Sequence, residues 1–188
     1  MAGSNGQRKL GIVAFDHEVE IIGDGLEKPH KIVDPDTLMD FEALKTTGEN
    51  QGSERLQAPI CDTKDSLLAK VGELQVKGRT ALGPAVLTSV AMASKGAPGS
   101  QVIICTDGMA NVGIGAFGSY GYKSTDASAF YDQVGALAEE MGVMINLVTI
   151  AGTDANIEGL SRLVELSGGQ IEQVNPNELS GDFANILS

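Results

Sequence analysis

Apolar and polar positions along this chain fall into two alternating rhythms, one of strand length and one of helical period. Leu10-Gly-Ile-Val-Ala-Phe15 is a short apolar run, and Glu18-Val-Glu-Ile-Ile22 alternates polar with apolar residues, as a strand exposed on one face does. Asp16-His17 between them predicts a hairpin turn, which makes the second strand antiparallel and places it at the sheet edge. Residues 23–60 are rich in Gly, Pro, Asp and Thr and offer one helical candidate, Pro35 to Leu44. Leu67, Leu68, Val71 and Leu74 then share a helical face behind Asp62 or Thr63 as cap, and Pro84 opens a helix carrying Val86, Leu87 and Val90.

The run from Gln101 to Cys105 is continuous and apolar, and closes abruptly in Thr106, Asp107 and Gly108. Phe130, Val134, Leu137, Ala138 and Met141 recur at helical spacing behind Ser124 or Thr125 and stop at Gly142. Val143 to Ile150 is a second continuous apolar strand. Ile157, Leu160 and Val164 mark a helix ended by Gly168-Gly169, Gly169 to Val174 a strand, and Leu179, Phe183 and Leu187 a last amphipathic helix. Strands alternating with helices, two of them apolar on both faces, predict an α/β fold. Its doubly wound, mostly parallel sheet has one antiparallel edge strand and helices on both faces. Residues 1–8 read as a flexible leader and 9–188 as a single domain.

Composition narrows the function classes. A chain of 188 residues, 42% hydrophobic, supports one well-cored domain. With 25 acidic against 13 basic residues the net charge is −12, which argues against nucleic acid or an anionic membrane as partner, because phosphate binding needs a basic surface. Cys61 and Cys105 read as two reduced thiols, Cys105 within a buried strand. There is no Asn-X-Ser/Thr sequon, signal-peptide pattern or membrane-length apolar run, so the expected location is cytoplasmic or intracellular.

In open α/β sheets ligands bind at the C-terminal ends of strands, which is where Asp107 falls. Gly78-Arg-Thr-Ala-Leu-Gly-Pro84 places a second oxygen donor, Thr80, on a turn before a helix. A hydroxyl and a carboxylate from neighbouring loops suit Mg²⁺, which takes oxygen ligands and keeps several waters. Taken singly, either residue reads as a cap. Gly113-Ile-Gly-Ala-Phe-Gly118 spells a dinucleotide fingerprint, but no helix follows it directly. It reads better as a mobile loop beside Asp107, with Phe117, Tyr120 and Tyr122 as an aromatic contact surface. His17 and His30 lack a nucleophilic partner, so no catalytic group is expected.

In these residues, and in the order of the strands and helices from Leu10 to Leu187, the chain resembles the von Willebrand factor A family. The resemblance implies protein–protein interaction or scaffolding. It implies a partial metal-ion-dependent adhesion site for Mg²⁺ or Mn²⁺, with Thr80 and Asp107 as its remaining ligands and a partner's acidic side chain completing the coordination; binding is expected to be weak or absent without the family's first-strand ligands. The contact loop would include Gly108, Met109, Asn111, Phe117 and Tyr120. The family's first strand, ending in Asp-X-Ser-X-Ser, and the helix after it have no match, so relative to the family the domain reads as N-terminally incomplete. That strand would lie between the Leu10 and Gln101 strands. Its absence leaves those two to pair directly, or another segment or a second copy to fill the gap. The competing reading is a Rossmann-like enzyme or nucleotide-binding domain using the same strand ends.

Overall fold

The computed structural model describes residues 5–75, 78–117, 124–150 and 157–174. Its strands form two sheets of three. The first is an antiparallel meander of β1 (Ile12–Phe15), β2 (Val19–Gly23) and β3 (His30–Ile32), in that order. The second is parallel, in the order β4 (Gln101–Thr106), β5 (Met144–Ile150), β6 (Ile171–Val174). Five helices accompany them among the described residues: α1 (Phe41–Arg55), α2 (Ile60–Gly72), α3 (Leu82–Ala93), α4 (Ser124–Glu140) and α5 (Ile157–Leu166). The fold is α/β.

The most buried helix is α3, with ten of its residues in the core, including Leu82, Val86, Leu87 and Val90. It packs against both β1 and β4, so one helix supports both sheets. α1 lies against α3 through Gly48 and Gly52. A Cβ on Gly48 would stand 2.5 Å from the Thr88 carbonyl oxygen, and one on Gly52 would stand 2.5 Å from that of Met92. α4 and α5 pack on each other and on β5, whose Ile145, Leu147, Val148 and Thr149 are all buried.

Several expectations are corrected. β2 is the middle strand of its sheet, because β3, too short and too close to Pro29 to show in the pattern, takes the edge. The helical candidate at Pro35 resolves into a 3₁₀ turn at Thr37–Met39 followed by α1, capped by the Asp40 side chain accepting from Ala43 N–H at 3.0 Å. α2 begins behind Pro59 rather than behind Asp62 or Thr63. On its expected apolar face only Leu67 is buried, while Leu68, Val71 and Leu74 are 60%, 46% and 44% exposed. β4 is buried on one face only: Val102, Ile104 and Thr106 point inward, and Cys105 on the other face is exposed.

Asn5–Gln7 form a 3₁₀ turn, and the Arg8 carbonyl accepts from Ile60 N–H at 2.7 Å. The helix expected around Leu179, Phe183 and Leu187 lies outside the described residues. β1 and β4 do not pair, and no backbone hydrogen bond joins them among the described residues.

Candidate functional site at the strand ends

Two strand ends and one turn meet at a single place. β1 stops at Phe15, and the next carbonyl, of Asp16, accepts from Ala81 N–H at 2.6 Å, which ties the first sheet to the start of α3. β4 stops at Thr106. The Thr106 hydroxyl donates to the Gly108 carbonyl at 3.1 Å and accepts from Gly108 N–H at 3.4 Å. This local turn bends the chain outward and leaves the intervening Asp107 exposed.

Thr80 is held between these ends by Asn111. The Thr80 N–H donates to Asn111 Oδ1 at 2.9 Å, and the Thr80 carbonyl accepts from the backbone N–H groups of Asn111 at 3.0 Å and Val112 at 3.2 Å. A Cβ built on Gly108 would lie 3.6 Å from Thr80 Oγ1, so the two loops are in contact. Thr80, Asp107 and Asp16 border one cavity of about 740 Å³.

Each expected site residue except Tyr120 lies among the described residues. Thr80 and Asp107 come together at the cavity mouth, Thr80 half-buried. Gly108 is half-buried, and Met109 is exposed. Asn111 is exposed and acts as the clamp on the Thr80 turn. Phe117 departs from expectation. It is buried, stacked on Tyr131 with ring centroids 5.4 Å apart, and offers no contact surface. Tyr120 and Tyr122 lie outside the described residues.

Nor is the stretch before Phe117 a free loop. Gly113 and Gly115 take left-handed backbone (φ 75° and 77°), Ile114 N–H donates to the Leu38 carbonyl at 2.9 Å, and Phe117 N–H donates to the Ala110 carbonyl at 2.8 Å. A Cβ on Gly83 would meet the Ile114 carbonyl oxygen at 1.9 Å, so this segment is docked on α3.

Asp16 and Thr106 were not singled out from sequence. Asp16 was absorbed into the hairpin turn, although it ends an apolar strand as Asp107 does. Its Oδ1 accepts from Glu18 N–H at 2.9 Å and pairs with His17 Nδ1 at 2.9 Å. Also lining the cavity, Lys31 Nζ reaches Glu18 at 2.7 Å and Glu20 at 3.5 Å. The hydrogen bond to Glu18 raises the Lys31 pKa, desolvation opposes it, and the Glu20 charge adds to the rise. On Cys105 desolvation acts in the opposite direction and raises the thiol pKa.

Chemically, the strand ends offer hard oxygen donors: one hydroxyl and two carboxylates. Among the described residues no group of three His, Cys, Asp or Glu side chains is placed to hold a metal. Thr80 and Asp107 would supply only part of an octahedral shell.

No family model matches the chain. It is 32% identical over 178 residues to the Circularly permutated Ras protein 1 of Dictyostelium discoideum, an alignment covering 94% of this chain and 20% of that protein. The chain thus spans about a fifth of that relative's length. Its structure is similar to the von Willebrand factor type A protein from Catenulispora acidiphila (TM-score 0.61, 15% identity, 95% of this chain and 33% of that one). It is also similar to human COPII-coat protein Sec24c (TM-score 0.61, 10% identity, 98% of this chain and 26% of that one). The fold is von Willebrand factor A-like. No helix among the described residues is long and apolar enough to cross a membrane.

Proposed function

We propose that this chain is a protein-interaction module that engages its partner at the strand ends, by binding rather than by catalysis. The observation that carries this reading is that Asp16, Thr80 and Asp107 line one cavity, with backbone bonds tying Asp16 to Ala81 and Thr80 to Asn111. The fold supports it, since one structural neighbour is a coat protein. Fold alone does not assign a function, so the site chemistry has to carry the rest.

In this reading Thr80 and Asp107 hold Mg²⁺ or Mn²⁺. The cation supplies a positive centre that a partner's carboxylate completes. Asn111 keeps the Thr80 turn in place, the Thr106 turn keeps Asp107 outward, and exposed Met109 adds apolar contact at the rim.

A thermal melt in EDTA, Mg²⁺ or Mn²⁺, with Asp107→Ala alongside, tests this. A cation that binds only the native state stabilises by mass action, about 2.7 kcal/mol at one hundred times its Kd. The expected result is a higher Tm with metal that Asp107→Ala abolishes. A Tm indifferent to metal in the unsubstituted chain would remove the cation from the mechanism.

A further inference from the structure

The chain contains two Asp-Gly pairs, Asp24-Gly25 and Asp107-Gly108, and the fold holds one while leaving the other free. Asp24 is 4% exposed, and its carboxylate accepts from the backbone N–H groups of Leu26 at 3.3 Å, Gln57 at 3.2 Å and Ala58 at 3.3 Å. Gly25 is equally confined. Its backbone is left-handed (φ 82°), and a Cβ there would meet Leu67 Cδ2 at 3.1 Å and Ser66 Oγ at 3.2 Å, so the pair is locked between the end of β2 and α2.

Asp107 is exposed, and among the described residues its carboxylate has no hydrogen-bond or ion-pair partner. Gly108 lies beyond the end of β4. Its N–H reaches the Thr106 hydroxyl at a long 3.4 Å and bonds to no backbone carbonyl among the described residues. A Cβ built on Gly108 would meet nothing nearer than Thr80 Oγ1 at 3.6 Å, which is ordinary contact. A carboxyl group free to turn, beside an amide nitrogen outside any ladder and a residue without a Cβ, meets the conditions for attack of the nitrogen on the carboxyl carbon.

We infer that Asp107-Gly108 is a modification site, at which the folded chain converts aspartate to isoaspartate through a cyclic imide. The Gly108 nitrogen bonds to Asp107 Cγ, and the carboxyl hydroxyl leaves with the amide proton as one water. Water then adds to either ring carbonyl. Addition at Cγ restores aspartate. Addition at the Asp107 backbone carbonyl frees that group as a carboxylate and leaves the chain running through Cβ and Cγ. One water is lost and one regained, and nothing is oxidised or reduced. The product lengthens the main chain by one carbon, shortens the side group by one, and shifts the carboxylate relative to Thr80. The strand-end site therefore ages. That consequence rests on the reading as an interaction module; the modification rests on neither that reading nor the cation.

The test holds the folded chain at physiological temperature in mildly acidic buffer made with oxygen-18 water, then digests it with trypsin in ordinary water. Asp107 falls in peptide 96–123, Asp24 in 10–31 and the Asn-Gly pair in 1–8, so mass spectrometry reads the three apart. A ring that closed and reopened leaves one heavy oxygen, and isoaspartate is counted with a purified isoaspartyl methyltransferase and labelled S-adenosylmethionine. Reaction at Asp24 must wait for local opening, and opening that costs about 1.4 kcal/mol slows it about tenfold. The expected result is at least about tenfold more isoaspartate in 96–123 than in 10–31, and similar amounts once urea unfolds the chain. Gly108→Ala, whose methyl group has room, should remove most of the product from 96–123, and Asp107→Asn should increase it. The inference is overturned if 96–123 gains neither heavy oxygen nor isoaspartate, or if 10–31 gains as much in the folded chain. It is equally overturned if Gly108→Ala changes nothing, or if the contrast persists in urea, which would assign it to neighbouring sequence instead of the fold.

Discussion

At Tyr131 the hydroxyl is fully buried and has no hydrogen-bond partner among the described residues, and desolvation pushes its ionisation well above the ordinary phenol value of 10.0. A buried polar group without a partner costs about 1–3 kcal/mol. Tyr131→Phe keeps the stacking on Phe117 and removes the orphan, so we expect it to leave stability unchanged or raise it by about 1 kcal/mol in urea unfolding near neutral pH. The pH dependence has a definite sign. Above pH 10 the unfolded chain releases this proton before the native one does, so native stability falls as pH rises. Tyr131→Phe should flatten that decline in melts taken across this range, and an unaltered slope would assign it to other groups. At this scale Thr80 and Asp107 were legible because each sits where a regular element breaks. Cys105 reads as buried from sequence because an apolar run looks the same whether its strand is covered on both faces or on one.

Among the elements, α1 shows most plainly where pattern fails. Its buried face is Leu44, Gly48, Gln51 and Gly52. Those positions have helical spacing, but only one is a large apolar residue, so no hydrophobic stripe marks the helix. Its contact with α3 depends instead on missing side chains that let two backbones approach. Alanine in place of a helical glycine ordinarily gains about 0.5–1 kcal/mol. At Gly48 the new Cβ would press on the Thr88 carbonyl and on the Ala91 Cβ at 2.7 Å. Overpacking of that kind costs about 1–3 kcal/mol, so we expect Gly48→Ala to lower the urea midpoint. Gly72, at the end of α2, has open space around its Cβ position, and Gly72→Ala should raise the midpoint. If the two substitutions shift the midpoint alike, close packing does not explain α1. α3, β5 and α5 were readable by contrast because Leu82 to Val90, Ile145 to Thr149 and Leu160 to Val164 bury large apolar side chains.

For the whole molecule, the parallel half of the fold was legible in the alternation of strand and helix. The antiparallel half was legible in its first hairpin, β1 to β2, but not in β3, which is three residues of mixed polarity behind a proline. The charge of −12 is a property of the same scale. Self-repulsion destabilises a compact state, and salt screens it over about 10 Å at 0.1 M. Tm should therefore rise between 0.01 M and 0.15 M NaCl. A fall would mean that pairs such as Lys31–Glu18 and Lys95–Glu49 outweigh the global term. The two sheets share one apolar core through α3 but, among the described residues, no ladder of backbone bonds. Hydrophobic attraction weakens on cooling, whereas the bonds inside each sheet do not depend on it in the same way. The seam between the halves is thus the part of the molecule expected to loosen first at low temperature.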